Sequence, residues 1–418
     1  MPLGLYTSIP FCRTKCSYCN FASDVFSKSA YENYVVRVLE DIANSRQLAM
    51  EMGCACDDIA DSIYLGGGTP SILDASQLLR IFAAVRGQFA VTPDAEITVE
   101  CAPGTLTPSL IETLLQCGVN RVSLGVQSFV DQEAQSVGRL HKRSTVLEEI
   151  GRLREAGLAN INIDLIAGLP HQTAESWAFS LAETIATGVP HVSVYMLEVD
   201  EDSRLGRELI AGGARYHAHF VPDDDVTADF YQQACQMLAS AGIAQYEISN
   251  FARAATHSQN GESQSNESRH NLKYWTRQPY LGFGVDAHSM LVADHNEAVN
   301  QALRFATTDS LDAYMNRAAH TMTPVSAQAA IEEGFFLGLR LNRGIDLERL
   351  RADFSPMFSQ DAVATWESAI QQCVHEGLLE QQGAILRLTA RGRLLSNEVF
   401  TRFLTEETKV GTGHVNPR

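Results

Sequence analysis

Short apolar runs alternate with amphipathic segments along about the first half of the chain. Runs of Val, Ile and Leu bounded by polar residues are typical of buried strands, and apolar positions spaced by three and four predict helices. The predicted strands are an apolar run that ends at Pro10, then Asp61–Leu65, Glu96–Glu100, Arg121–Val126, Asn160–Ile166 and His191–Leu197. The predicted helices are Ser29–Met52, Ser76–Phe89, one that opens at Thr107 and Pro108, and Thr173–Ala186.

Six such alternations imply parallel strands joined by helical crossovers, either as a barrel or as a doubly wound sheet. In both architectures the chemistry gathers at the carboxyl ends of the strands. Polar and glycine-rich positions follow the predicted strands at Cys12–Cys19, Gly66–Thr69, Glu100, Gln127, Asp164 and Glu198. We therefore expect these residues to converge on one mouth.

The second half of the chain has a different character. Residues 253–268 are rich in Ser, Asn and Gln and predict a mobile loop, and the chain is mostly helical from Pro324 onward. A helix followed by a short hairpin near residues 377–392 resembles a winged helix, whose basic face is too thin here for DNA. We predict a barrel over 1–250, a connecting region over 251–320, a helical C-terminal domain over 321–405 and a disordered tail over 406–418.

Composition narrows the class of protein. The 418 residues are 45% hydrophobic and 20% charged, as in ordinary soluble proteins, and the net charge of −18 argues against nucleic acid as a partner. The sequence shows no apolar run of bilayer length and no signal sequence at its start, so we predict a cytoplasmic protein without its own membrane anchor. Nine cysteines then serve as thiols or metal ligands rather than as disulfides.

The most informative motif is a run of three cysteines, Cys12, Cys16 and Cys19, spaced C-x-x-x-C-x-x-C directly after the first strand. Three thiolates on one loop can hold a cubane iron–sulfur cluster and leave its fourth iron open to a small molecule. Two alternatives stay open at this point. The thiols could bind zinc together with a distant histidine, or they could be uninvolved buried cysteines.

A glycine run, Gly66-Gly67-Gly68-Thr69-Pro70, follows the second strand and lets the backbone approach a ligand closely. An amino-acid ligand on the open iron would need partners for its amine, carboxylate and sugar hydroxyls. Carboxylates suit an amine or ribose, and a guanidinium suits a carboxylate. Residues with this chemistry are Glu100, Gln127, Arg139 and Asp164.

Together these motifs resemble the radical S-adenosylmethionine (SAM) proteins, and in detail the oxygen-independent coproporphyrinogen III oxidase (HemN-like) family. The details are Ile9-Pro10-Phe11-Cys12, Arg121–Phe129, Gly138-Arg139-Leu140-His141 and Asp164–Pro170. The resemblance implies a partial (β/α)6 TIM-like barrel, with a mainly helical, winged-helix-like C-terminal domain. It also implies that Cys12, Cys16 and Cys19 hold a [4Fe–4S] cluster. The residues it implies for SAM are Tyr6, Tyr18, Gly67, Gly68, Thr69, Glu100, Gln127, Arg139, Asp164 and, with the least support, Glu198.

In two features the chain resembles the heme chaperone branch of that family. Phe21 stands where the oxidases carry a fourth cysteine, and His270-Asn271-Leu272-Lys273-Tyr274-Trp275 matches the H-N-x-x-Y-W signature of the branch. A neutral imidazole at His270 is a reasonable axial ligand for heme, with Tyr274 and Trp275 as aromatic neighbours. The alternative is that His270 simply caps or hydrogen-bonds the turn after the polar loop.

The leading hypothesis is therefore a heme chaperone that binds heme, a [4Fe–4S] cluster and SAM and passes heme to heme-requiring respiratory proteins. The competing hypothesis is a radical SAM oxidoreductase that acts on coproporphyrinogen III or a related porphyrinogen. Because Phe21 stands where the oxidases carry a fourth cysteine, we predict that the protein is not an active coproporphyrinogen III dehydrogenase. The sequence leaves a homodimer open.

Overall fold

A row of six parallel strands forms the centre of the molecule, which is described here by a computed structural model over residues 1–254, 256–257, 263–293, 300–354 and 360–404. The strands are β1 Leu3–Ile9, β2 Ile59–Gly67, β3 Ala90–Cys101, β4 Arg121–Gln127, β5 Ile161–Ala167 and β6 His191–Met196. The helices around them are α1 Lys28–Glu51, α2 Ala75–Gln88, α3 Pro108–Gln116, α4 Asp131–Ser136, α5 Arg143–Glu155, α6 Ala174–Thr187, α7 Arg204–Ala211 and α8 Asp224–Ser240. Adjacent strands pair in chain order from β1 to β6, which confirms the predicted partial (β/α)6 barrel.

Local sequence explains why these elements form where they do. Asp74 caps α2 by accepting the backbone N–H of Gln77, whose side chain reaches back to the cap in turn. Pro108 opens α3 at a position where its missing N–H costs little. The strands are nearly continuous apolar runs because helices cover one face and the barrel interior lies against the other.

The strands also expose a set of positions toward the inside of the barrel. In each of five successive strands, the last residue that is half-buried between buried neighbours lies at or beyond the midpoint. These residues are Tyr6, Tyr64, Glu100, Gly125 and Asp164. They lie at the midpoints or in the carboxyl-terminal halves of their strands, so their side-chain positions lead toward the carboxyl-terminal end of the barrel.

The central sheet continues beyond the six parallel strands on both sides, to twelve strands in the order β14-β13-β12-β11-β1-β2-β3-β4-β5-β6-β8-β7. The added strands are β7 Ile243–Glu247, β8 Asn250–Arg253, β11 Tyr280–Phe283, β12 His288–Val292, β13 Asn300–Ala306 and β14 Thr321–Ser326. Strand β11 runs parallel to β1, and the remaining additions are antiparallel. Two short helices accompany them, α9 Arg269–Trp275 and α10 Leu311–Met315. The segment predicted as a connecting region thus supplies sheet strands.

Part of the predicted polar loop 253–268 lies outside the described residues, namely residue 255 and residues 258–262. Two short strands in the same stretch, β9 Thr256–His257 and β10 Ser263–Gln264, pair antiparallel. The predicted tail 406–418 also lies outside the described residues.

The C-terminal region has its own apolar cluster, which includes Phe335, Trp366, Leu386 and Phe403. Its elements are α11 Ala327–Gly338, β15 Ile345–Asp346, α12 Leu347–Phe354, α13 Gln360–His375, β16 Leu379–Gln382, β17 Ile385–Leu388, α14 Ala390–Leu394 and α15 Ser396–Thr401. Strands β16 and β17 form the predicted hairpin after a helix. None of the described helices is both long and apolar enough to cross a bilayer.

Candidate functional site: the cysteine loop and the barrel mouth

The cysteine loop leaves the carboxyl end of β1 and is tied back on itself. The Cys12 N–H donates to the carbonyl of Asp24 at 3.0 Å, and the Asp24 N–H donates to the carbonyl of Pro10 at 3.0 Å. The far side of the loop is anchored through Ser17, whose N–H donates to the carbonyl of Val137 and whose carbonyl accepts the N–H of Leu205. These backbone bonds fix the path of the loop over the barrel mouth.

Two hydroxyls lie against the thiols of this loop. The Thr69 hydroxyl donates to Cys12 Sγ at 3.7 Å, and Ser23 Oγ lies 3.9 Å from Cys19 Sγ. Burial raises the pKa of the Cys12 and Cys19 thiols, and the charges of the neighbouring cysteines raise it further. Within the described part of the chain, no set of three or more His, Cys, Asp or Glu side chains could hold a metal ion as placed.

The glycine turn passes directly beneath the cysteine loop. The Gly68 N–H donates to the carbonyl of Ile9 at 2.8 Å. A Cβ atom at Gly68 would lie 2.8 Å from the Phe11 carbonyl oxygen and 3.0 Å from Cys12 Sγ, so no side chain fits between the turn and the loop. Gly67 adopts φ 103°, which also favours glycine.

Glu100 lies at the end of β3 and links the turn to the barrel interior. Its Oε2 accepts the N–H of Gly67 at 3.2 Å, and its Oε1 accepts the hydroxyl of Tyr64 at 2.8 Å. Burial, with the nearby charge of Asp164, raises the pKa of Glu100 to about 7. A cation bound at this point would favour the ionised carboxylate.

Arg139 and Gln127 bring unsatisfied polar atoms to the same mouth. Arg139 Nη2 donates to the Tyr18 hydroxyl at 3.3 Å, and its side chain passes over Gly125, where a Cβ would lie 3.1 Å from Nη2. Among the described residues, Arg139 Nε and Gln127 Oε1 are buried without a hydrogen-bond partner. Gln127 is also held at φ 70°, a left-handed conformation that is costly for a residue with a side chain. Buried atoms of this kind suit a polar ligand.

Asp164 is half-buried on β5, and both of its carboxylate oxygens accept hydrogen bonds from neighbouring side chains. It accepts the Ser123 hydroxyl at 3.0 Å and the Asn162 side-chain amide at 2.7 Å. Burial raises the pKa of Asp164.

Tyr6 stacks beside Tyr64 at a ring-centroid distance of 6.1 Å on the neighbouring strand. The structure therefore brings the cysteines, Thr69, Gly67, Gly68, Glu100, Gln127, Arg139, Tyr18 and Asp164 to one end of the barrel, with Tyr6 below them. Glu198 is exposed, just beyond the end of β6.

His270 lies elsewhere, at the amino ends of β1 and β2. The first turn of α9 sits on Glu96, whose carboxylate accepts the N–H groups of Arg269 and His270, each at 3.1 Å. The Lys273 ammonium on the same helix lies 2.7 Å from Asp61 Oδ1 and donates to the carbonyl of Pro2. The cysteine loop follows the opposite, carboxyl end of β1.

The imidazole of His270 is 1% exposed, and both of its nitrogens are engaged. Nδ1 lies 3.1 Å from Ser62 Oγ, Nε2 lies 2.8 Å from the Tyr274 hydroxyl, and the ring stacks on Tyr64. Burial lowers the pKa of His270 to about 3, so the ring is neutral. Because both nitrogens have partners, this arrangement agrees with the hydrogen-bonding alternative, and the role of His270 as a heme ligand stays a prediction.

Tyr64 is the site residue that the sequence reasoning missed. It lies two positions before Gly66 on β2, so the period of two in a strand places both on the same face. That spacing would have identified it, since Gly66 already marked the face that approaches a ligand.

Comparison with known proteins agrees with this geometry. The profile of the Radical SAM superfamily matches residues 6–182, and that of the HemN C-terminal domain matches residues 325–395. The chain is 31% identical to the heme chaperone HemW of Bacillus subtilis over 402 residues, which cover 96% of this chain and 99% of that protein. It is 29% identical to the heme chaperone HemW of Escherichia coli, over 97% of this chain and 99% of that protein.

The fold is also found in a solved structure. The radical SAM enzyme coproporphyrinogen III oxidase (HemN) of Escherichia coli superposes with a TM-score of 0.78 at 23% identity, over 96% of this chain and 90% of that one. This likeness shows a shared fold. The extent of the sequence similarity to the heme chaperones goes further: the chain belongs to the HemW family of radical SAM proteins.

Proposed function

We propose that the protein is a cytoplasmic heme chaperone that carries a [4Fe–4S] cluster and SAM and delivers heme to heme-requiring respiratory proteins. The observation that carries this proposal is similarity to heme chaperones over almost the whole chain. The geometry of the barrel mouth supports the cofactor part, because the Cys12 thiol of the cysteine loop lies against a glycine turn that leaves room for no side chain.

Different residues of the barrel mouth would bind the two cofactors. Cys12, Cys16 and Cys19 would hold the cluster, which supplies one-electron chemistry and an open iron when it is bound. Thr69 already donates to Cys12 Sγ and would steady that ligand.

The strand ends would hold SAM. Gly67 and Gly68 would let the ligand approach the backbone, and Glu100 would receive its ammonium group. The Arg139 guanidinium would bind its carboxylate, and Gln127 and Asp164 would bind the ribose hydroxyls. Tyr6 and Tyr18 border the same space, and Glu198 is the outermost member of the proposed set. The orphaned atoms Arg139 Nε and Gln127 Oε1 support this assignment, since a polar ligand would satisfy both.

The second candidate function is oxidation of a porphyrinogen by the same cofactors, and the shared fold with coproporphyrinogen III oxidase favours it. One residue of the cysteine loop, Phe21, favours the chaperone function over the oxidase function. Phe21, which stands in place of the oxidases' fourth cysteine, is 46% exposed at the rim of the mouth.

Three measurements test the proposal. Anaerobic reconstitution should give a brown protein with about four irons, which is lost in the Cys12→Ala, Cys16→Ala, Cys19→Ala variant and kept when Cys54 and Cys56 are replaced instead. Hemin titration should give a stoichiometric shift of the Soret band. Heme-loaded protein mixed with an apo-cytochrome should transfer its heme. Anaerobic turnover of coproporphyrinogen III, without heme transfer, would establish the oxidoreductase instead.

A further inference from the structure

The helix that carries the H-N-x-x-Y-W segment, α9, is held on the barrel by polar contacts along its first five residues. The Glu96 carboxylate on β3 accepts two backbone N–H groups of its first turn, each at 3.1 Å, and one of them belongs to His270. On β2, Ser62 Oγ lies 3.1 Å from His270 Nδ1. The neighbouring Asp61 places its Oδ1 2.7 Å from the Lys273 ammonium. We call Asp61, Ser62 and Glu96 the latch.

The carboxyl end of α9 is held differently, by apolar contacts with the C-terminal region. Trp275 packs with Leu337 and Leu341, and the Arg340 guanidinium lies over its ring at 4.3 Å. Just beyond the helix, Arg277 adopts a left-handed conformation with φ 52°. Hydrogen bonds to the latch can be exchanged for hydrogen bonds to water, whereas exposure of an apolar cluster costs free energy in proportion to its area. The amino end of α9 can therefore leave the barrel at a lower cost than its carboxyl end.

The docked helix covers the predicted heme ligand. His270 is 1% exposed, and its ring stacks on Tyr64 at 5.2 Å. Its Nδ1 is engaged by the latch, and its Nε2 lies 2.8 Å from the hydroxyl of Tyr274 on the same helix. Heme needs an imidazole nitrogen that its iron can reach. Movement of the amino end of α9 away from the barrel would expose the ring and break its contact with Ser62.

The fit between α9 and the barrel is close, and it depends on one buried charge. The Lys273 side chain is 1% exposed, so loss of the Asp61 carboxylate would leave a buried ammonium without its counterion. Undocking of the helix returns that ammonium to water. On β1, a Cβ atom at Gly4 would lie 2.7 Å from Lys273 Cδ and 3.4 Å from His270 Cε1. A methyl group at Gly4 would therefore press on the helix without any change of charge.

We propose that α9 is a lid over its own heme ligand. The latch holds the lid closed, and heme binds when the amino end of α9 swings away from the barrel about the anchored Trp275. The fraction of open protein then sets the apparent affinity, because heme binds the open form alone. Closing of the lid competes with heme for His270, which favours release to an acceptor. This inference rests on the proposed heme-binding function and on the prediction that His270 is the ligand, and it names how that site is regulated.

The test loosens the lid in two independent ways, by Asp61→Asn, which strands the Lys273 charge, and by Gly4→Ala, which presses on the helix. Lys273→Met combined with Asp61→Asn removes the stranded charge and should close the lid again. The matched control is Asp94→Asn, which breaks an exposed ion pair of 3.1 Å between Asp94 and Arg269 on the same helix.

Two measurements are made on each protein, amide hydrogen exchange over residues 268–276 and hemin titration. We expect Asp61→Asn and Gly4→Ala to exchange faster over this segment and to bind hemin about tenfold or more tightly than the intact protein. The double variant and the Asp94→Asn control should stay within about threefold of the intact protein. The gain in affinity should disappear when His270→Ala is added to Gly4→Ala, because the uncovered ligand is then missing.

The outcomes separate the lid from the heme-binding function. Faster exchange without tighter hemin binding in the two loosened variants would overturn the lid and leave the chaperone proposal intact. Unchanged exchange in both would overturn it as well, because the latch would then not hold the helix. A gain that persists without His270 would show that heme binds newly exposed surface, which also contradicts the lid. If neither the intact protein nor any variant binds hemin, the heme-binding function itself fails. Gly4→Ala keeps the test decisive if Asp61→Asn does not fold.

Discussion

The hydroxyl of Tyr64 donates to Oε1 of Glu100 across 2.8 Å, and the ring of the same tyrosine stacks on His270 at 5.2 Å. Tyr64 thus connects the buried H-N-x-x-Y-W segment at the amino ends of the strands with the carboxylate beneath the glycine turn. A side chain that is a candidate heme ligand by sequence is, in the structure, part of the packing that positions Glu100.

His270→Ala should therefore destabilise the protein. The substitution empties a buried volume and leaves Ser62 and Tyr274 without their imidazole partner, which should lower the free energy of unfolding by about 2–4 kcal/mol. Urea denaturation measures this loss. The exposed His219→Ala variant provides the contrast, because we expect it to keep its stability within about 0.5 kcal/mol. A free energy of unfolding that His270→Ala leaves unchanged would contradict this prediction.

Glu100 should make stability depend on pH in the ligand-free protein. Its pKa is about 7 in the folded state and about 4.3 in an unfolded chain. Because this pKa is raised, the folded protein keeps a proton on Glu100 at pH values where the unfolded chain has released it. The stability that this difference contributes is therefore fully present below about pH 4.3 and is lost as the pH rises through 7. Glu100→Gln removes this dependence, and its stability relative to the intact protein should rise between pH 5 and about 7.5. Denaturation curves at several pH values measure the difference, and the exposed Glu112→Gln variant should leave the pH profile unchanged.

Gly68→Ala should abolish assembly of the cluster, because the new methyl group would overlap the backbone of the cysteine loop at Phe11 and Ile9. Gly87 on α2 is the matched control, since a Cβ there meets nothing within 4 Å. Gly87→Ala should raise stability by about 0.5–1 kcal/mol through helix propensity and leave iron content intact. Iron and sulfide analysis after reconstitution distinguishes the two variants. Normal iron content in Gly68→Ala protein would show that the loop can move away from the turn.

Much of the central barrel could be predicted from sequence because its signals are local. Strand and helix periods are read within a few residues, and polar groups at the ends of successive parallel strands must share an edge of the sheet. Cys12, Gly68 and Glu100 come together for that reason. The glycine turn and the cysteine spacing are also local features.

What could not be predicted depends on contacts between remote residues. Ser62 and His270 are separated by 208 positions, and no local period shows that α9 docks on the amino ends of β1 and β2. The pairing of β11 with β1, through Gly4 and Tyr280, is equally remote. His171 and His217 are remote in sequence as well, yet their ring centroids lie 5.0 Å apart.

Glu333 should be the residue on which attachment of α11 to the sheet depends most. It is buried, and its two oxygens accept hydrogen bonds from Arg277 Nε and Arg304 Nε, each at 2.8 Å. Glu333→Ala leaves both guanidiniums without this carboxylate and should cost about 3–5 kcal/mol, whereas Glu380→Ala, which breaks an exposed pair with Arg387, should cost about 1 kcal/mol or less. The two arginines lower the pKa of Glu333, so its contribution is present above the unfolded pKa and is lost as the pH falls through the lowered value. Equal losses in the two variants by urea denaturation would show that the buried pair adds no more than a surface contact.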